Sequence, residues 1–250
     1  MIGYWSSRNE YRQHMNERYI RWYTHHMSRD FEMLVYGNGG GLPLVLYPTS
    51  FGRYHQNKDF GLVGAVAPFI DSGRVTVYCV DAVDLESFYN KRIHPADRIR
   101  THIAYENVIR YDVFDLARRE CSTHRVAVCG ASLGAYHAVN IAFRHPDEVS
   151  HVISLSGAFD ISDFFDGYHD DNIYFNSPYA YLPNTTDAWR FNHMNIVLGT
   201  GEWDNTRHES LRLSTILNSK GVRHWLDDRK WSGHDWNYWR DMLPYYLSKL

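Results

Sequence analysis

The apolar residues of this chain fall into short runs separated by polar and glycine-containing stretches, and the spacing changes from run to run. FEMLVYG (31–37) and LPLVLYPTS (42–50) are β-rich and flank the turn NGGG, which predicts an antiparallel hairpin. GLVGAVAPFI (61–70) has helical spacing, and RVTVYCVDA (74–82) is the continuous apolar run of a strand buried on both faces. From there the pattern alternates. It predicts a helix over 96–119, a strand at RVAVCG (125–130), a helix at LGAYHAVNIAFRH (133–145) stopped by Pro146, and a strand at VSHVISLSG (149–157). An aromatic stretch containing Pro and Asn (158–194) follows. Then come strand NIVLGT (195–200), a helix over 206–219, strand VRHWLDD (222–228) and a last helix from about 236 to 248. The expected class is α/β: a mainly parallel central sheet with helices on both faces and an N-terminal antiparallel hairpin.

With 250 residues and no internal repeat or linker, the chain is expected to be a single domain over 1–250. The connection 158–194 is too long for an ordinary strand-to-helix loop, and its rings argue against disorder, so it is expected to be a cap-like insertion.

Composition narrows the partners. The net charge of −3 gives no electrostatic pull toward nucleic acid or an anionic membrane, which leaves a small neutral or weakly charged molecule as the expected partner. The 19 Tyr, 12 Phe and 8 Trp suit the walls of a pocket for an organic substrate as well as a core. Cys79, Cys121 and Cys129 fit neither a zinc site nor a disulfide framework and read as reduced, packed thiols. The N-terminal MIGYWSSRNEYRQHMNERYIRW is polar, and no apolar run approaches a membrane span, so the expectation is a soluble, cytoplasmic protein. The oligomeric state stays open, a homo-oligomer included.

Gly130-Ala131-Ser132-Leu133-Gly134 is a G-x-S-x-G sequence between a predicted buried strand and a predicted helix. That context is what a nucleophile elbow requires, and it points to a serine hydrolase of the α/β-hydrolase class with Ser132 as nucleophile. A serine hydroxyl needs a histidine base oriented by a carboxylate, in the chain order Ser, acid, His. Among 15 histidines His234 has the right place, in WSGHDW between the last strand and the last helix; His137 and the pair His25-His26 read as packing or solvated residues. For the acid, GTGEWDN offers Glu202 and Asp204, with Asp204 favoured for its shorter side chain beyond the turn, and Asp160 a distant third. The oxyanion donors are expected to be the Leu133 amide and one from YPTSFG, either Ser50 or Phe51. Tyr174 and Phe175 in the insertion, and Trp203, are the expected substrate-contacting rings. GNGGG (37–41) lacks the residues of a phosphate cradle, and no His or Cys spacing suggests a metal.

These residues resemble the putative esterase family, the α/β-hydrolase group that includes esterase D, feruloyl esterases, enterochelin esterases and the antigen 85 mycolyltransferases. The resemblance runs from about residue 31 to the C-terminus and is strongest in GASLGAYHA, in GYHDDNIYFNSPYAYLPN, and in GTGEWDN with SGHDWNYWRDMLPYYL. It implies the nucleophile at Ser132, the acid at Asp204, the base at His234 and no cofactor. The expected activity is cleavage of a carboxylic ester through an acyl-enzyme. Its rivals are acyl transfer by the same triad and a non-catalytic binding protein on a hydrolase scaffold.

Overall fold

The computed structural model describes residues 15–250, so the part of the polar N-terminal segment before Met15 lies outside the described residues. Among the described residues eight strands form one sheet in the order β1-β2-β4-β3-β5-β6-β7-β8. They are β1 (Glu17–Thr24), β2 (Arg29–Tyr36), β3 (Leu42–Tyr47), β4 (Val75–Val80), β5 (Val126–Ala131), β6 (Val149–Leu155), β7 (Asn195–Trp203) and β8 (Trp225–Gly233). β3 to β8 are mutually parallel, and β1 and β2 are antiparallel additions at one edge. This is the α/β-hydrolase arrangement, with the antiparallel part at the N-terminus.

The hairpin itself is one strand earlier than the sequence suggests. β2 pairs with β1 on one side and with β4 on the other, while β3 lies beyond β4 and runs parallel to it. β1 escapes a hydrophobicity reading because it is an edge strand: its residues alternate between exposed and half-buried until Thr24, so ERYIRWYT looks polar. The glycine turn at 37–41 therefore carries the chain across β4 instead of folding it back, with Gly37, Gly39, Gly40 and Gly41 all at positive φ.

Successive residues of the central strands point to opposite faces and meet two separate apolar layers. Val45, Tyr78, Val80 and Val128 join the layer under the helices Pro95–Asn107 and Leu133–Arg144. Leu44, Leu46, Val77 and Cys129 join the layer containing Leu62, Val63, Trp239, Met242 and Tyr246. β4 and β5 are buried at every position, as a strand covered on both faces must be.

The helix Leu133–Arg144 is buried on all sides from Leu133 to Phe143. The insertion explains this. Residues 158–194 form short helices, including Asp171–Asn176 and Pro178–Tyr181, and lie over the outer face of that helix. Tyr136 donates its hydroxyl to the Asn176 carbonyl (2.9 Å), and Asn140 Nδ2 donates to Asn176 Oδ1 (3.0 Å). Phe165, Ile173, Tyr181, Leu182 and Phe191 are buried there and extend the core. Among the described residues no helix is long and apolar enough to cross a membrane.

Candidate active site

Strand β5 ends at Ala131 and the helix Leu133–Arg144 begins one residue later, so Ser132 alone must make the turn. It does so at φ 56°, ψ −124°, a backbone region that costs an L-residue about 1–3 kcal/mol. The neighbours hold it there: the Ser132 amide donates to the Leu155 carbonyl (2.9 Å), and the Ala158 amide donates to the Ser132 carbonyl (3.2 Å). The two flanking glycines are required by close approach. A Cβ on Gly130 would lie 2.2 Å from the Gly134 carbonyl group, and one on Gly134 would lie 2.2 Å from the Pro48 carbonyl oxygen. Ser132 is left half-buried at the carboxyl end of the sheet, with the Leu133 amide opening a helix that has no preceding turn to accept its hydrogen.

The Pro48 contact fixes the loop after β3 against this turn. Within that loop the Gly52 amide donates to the Thr49 carbonyl (2.9 Å) and the Thr49 amide to Gln56 Oε1 (2.9 Å). Ser50 and Phe51 form its tip. The Tyr89 hydroxyl donates to Ser50 Oγ (3.2 Å), Phe51 sits at φ 62°, and its exposed ring lies 4.1 Å from that of Tyr89.

Asp204 follows β7 and His234 follows β8, two parallel neighbours in the sheet. A carboxylate has no hydrogen to offer, so the proton between them sits on the ring: His234 Nδ1 donates to Asp204 Oδ1 at 2.9 Å. Oδ1 also accepts from the Thr206 amide and the Thr206 hydroxyl, each at 2.9 Å, and Oδ2 accepts from the Thr200 hydroxyl at 2.9 Å. Burial of Asp204 alone would raise its pKa, but the hydrogen bonds from His234, Ser156 and Thr206 outweigh it and hold the carboxyl well below the usual carboxylate range. The carboxylate is thus kept charged inside the protein. Trp239 stands edge-on to the imidazole at 5.2 Å and donates its indole N–H to Ser156 Oγ (3.0 Å).

Of the two carboxyls the sequence left open, Asp204 is the one bonded to His234. Glu202 points elsewhere and accepts from the Trp231 amide (3.3 Å). Ser132 and His234 are not hydrogen-bonded to each other in this structure. His137 is buried on the Leu133 helix and paired with Asp84 (3.1 Å), a packing role of the kind expected. Thr200, Thr206, Ser156 and Trp239 escape sequence reasoning, because nothing in a threonine or serine announces that it solvates a carboxylate. The one available hint is Thr206, two residues after Asp204 at the start of a predicted helix.

The expected substrate rings divide. Trp203 lies beside the Asp204–His234 pair, in register with Gly233. Phe175 is tied to the other end of the Leu133–Arg144 helix: its carbonyl accepts from Arg144 Nη1 (2.7 Å), and the Arg144 backbone lies about 18 Å of helix beyond Ser132. With Tyr174 it lines a cavity of about 400 Å³ shared with Phe143, His145, Tyr181 and Arg190. The part of the insertion that carries Tyr174 and Phe175 packs along the Leu133 helix, whereas its first residue, Ala158, is bonded to Ser132. Tyr174 also borders a second cavity, of about 490 Å³, with Phe165, Tyr168, Ile173, Tyr179 and Arg212. Asp160, on the rim of that cavity, is two residues from the amide bonded to Ser132. Among the described residues no group of three or more His, Cys, Asp or Glu is arranged to hold a metal ion.

Comparisons with known proteins agree with this architecture. Residues 25–250 match the model of the family described as "Putative esterase". A ferulic acid esterase superposes with a TM-score of 0.75 at 16% identity, over 94% of this chain and 98% of that one. The S-formylglutathione hydrolase of Staphylococcus aureus gives 0.69 at 16% identity, over 94% and 96%. MPT51 of Mycobacterium tuberculosis gives 0.71 at 15% identity, over 94% and 97%. At such identities the structures show a shared fold. No curated protein matches the sequence. The family match spans nearly the whole chain, which therefore belongs to the putative esterase family and is a carboxylic ester hydrolase.

Proposed function

We propose that the ester is cleaved through an acyl-enzyme on Ser132, with His234 as general base and acid and Asp204 as its partner. The single observation that carries this reading is the buried, charged Asp204 bonded to His234 Nδ1, which leaves Nε2 as the ring nitrogen free to take a proton. In the first step Nε2 accepts the Ser132 hydroxyl proton as Oγ bonds to the carbonyl carbon. The Leu133 amide, with that of Ser50 or Phe51, receives the negative charge on the carbonyl oxygen. When the carbon–oxygen bond to the alcohol breaks, Nε2 returns the proton to the departing oxygen. Water, activated by the same nitrogen, then frees the acid.

The insertion 158–194 contributes to selection in this reading. The mainly apolar cavity of about 490 Å³ that it forms with Arg212 is large enough for the acyl part of a small organic ester. A chromogenic ester tests the proposal. Pre-steady-state release of its alcohol should show a burst equal to the enzyme concentration, absent in Ser132→Ala, and linear release in the wild type would refute an accumulating acyl-enzyme.

A further inference from the structure

Two large apolar side chains stand in water beside the acid–histidine pair. Trp203 is 57% exposed and Trp231 67%, and their rings meet edge to face at 5.5 Å. Both are held there by irregular backbone. The pairing of β7 with β8 shifts register between Gly201 and Trp203, and Trp231 sits at φ 59°, a conformation that disfavours a bulky residue. A Cβ on Gly201 would lie 2.3 Å from the Ser232 carbonyl oxygen, so the bulge depends on that glycine. A Cβ on Gly233 would come within 3.7 Å of Trp203 Cβ, which puts the base of the Trp203 side chain against the segment carrying His234. Trp203 directly precedes Asp204, and Trp231 is three residues before His234.

Resting on the acyl-enzyme reading above, we infer that Trp231 and Trp203 form the platform that receives the alcohol part of the ester, and that they favour an aromatic or otherwise apolar alcohol. The side is fixed by chemistry. His234 Nε2 must hand its proton to the departing oxygen, so the alcohol lies against the His234 segment during acylation, while the acyl group stays bonded to Ser132. Trp203 is in register with Gly233, the residue before His234, and the Trp231 ring packs on that of Trp203. An indole face offers an apolar alcohol a large, rigid surface with few rotatable bonds to order. Strain and exposure held together at one place are what a binding contact would repay.

The test uses one acyl group and a graded set of alcohols, methyl, butyl, phenyl and naphthyl, on wild type, Trp231→Ala, Trp231→Gly and Trp203→Ala. Trp231→Gly removes the ring and also relieves the positive φ, so it should fold with an undiminished melting temperature. In each variant kcat/KM for the phenyl and naphthyl esters should fall by about tenfold or more, while the methyl ester changes by less than about threefold. A series of acyl chains on a fixed methyl ester should keep its ranking. An equal fall for every alcohol, or an unchanged ranking of alcohols, would overturn the platform. Labelling of Ser132 by a fluorophosphonate separates the two levels: retained labelling with an unchanged ranking sinks the platform alone, and absent labelling in the wild type sinks the acyl-enzyme reading with it.

Discussion

Replacing Asp204 with Asn asks what the buried carboxylate does, and the structure supplies the expected size. Oδ1 accepts from His234 Nδ1, the Thr206 amide and the Thr206 hydroxyl, whereas Oδ2 accepts from the Thr200 hydroxyl. An asparagine placed with its oxygen at the Oδ1 position keeps the first set and turns its NH2 toward Thr200, whose hydroxyl can rotate to accept. The opposite placement sets NH2 against the Thr206 amide, donor to donor. The first placement therefore wins, and the histidine stays in the same tautomer. What is lost is charge. An anion about 4 Å from the imidazolium that forms on proton transfer contributes about 4 kcal/mol at an effective dielectric constant of about 20, or roughly 10³-fold in rate.

Steady-state kinetics on a simple ester should show kcat lower by about that factor and KM within a few-fold, because the interaction grows only as the ring becomes charged. Glu202→Gln should change kcat less than about threefold, since Glu202 meets only the Trp231 amide. Retention of more than a tenth of the activity in Asp204→Asn, or a larger loss in Glu202→Gln, would refute the reasoning. The same substitution has a signature in stability. The folded-state pKa of Asp204 is depressed, so its stabilising effect is full above the ordinary aspartate value near 3.9 and is lost as pH falls from there toward the folded value. Any thermal stability that wild type holds over Asp204→Asn at neutral pH should accordingly narrow below about pH 4.

Two further substitutions test the parts around the pair. Gly134→Ala places a Cβ 2.2 Å from the Pro48 carbonyl oxygen, backbone against backbone, and should cost about 1–3 kcal/mol in denaturant unfolding and lower kcat by moving the loop of Ser50 and Phe51; a fully active, fully stable variant would contradict the packing argument. Thr200→Val leaves Asp204 Oδ2 buried without its donor and should destabilise by about 1–3 kcal/mol, with a smaller fall in kcat than Asp204→Asn; a larger fall would mean that Thr200, and not charge, dominates.

The parallel sheet was legible because its strands are buried on both faces, which leaves continuous apolar runs such as VTVYCV and VAVCGA. β1 was not, because an edge strand with half its residues in water carries no such run, and the sequence assigned its antiparallel partner to β3 for want of any other candidate. The turn at Ser132 was legible because close approach forces glycine on both sides, a constraint written in single residues. The surroundings of Asp204 depend on Thr200, Thr206, Ser156 and Trp239, which come from β7, the start of the following helix, the end of β6 and the last helix. Only the folded chain brings those together. Phe175 marks the limit of composition: a segment rich in rings was expected to meet substrate, but much of it packs along the Leu133 helix, and the choice between core and pocket depends on where that helix points.

In the proposed reaction Ser132 is the residue acylated during turnover. Intact-protein and peptide mass spectrometry after treatment with a fluorophosphonate probe tests it most directly. One adduct per chain is expected, on the peptide containing Ser132, absent from Ser132→Ala and suppressed by prior incubation with a slowly hydrolysed ester. An adduct on any other residue, or equal labelling of Ser132→Ala, would contradict the account.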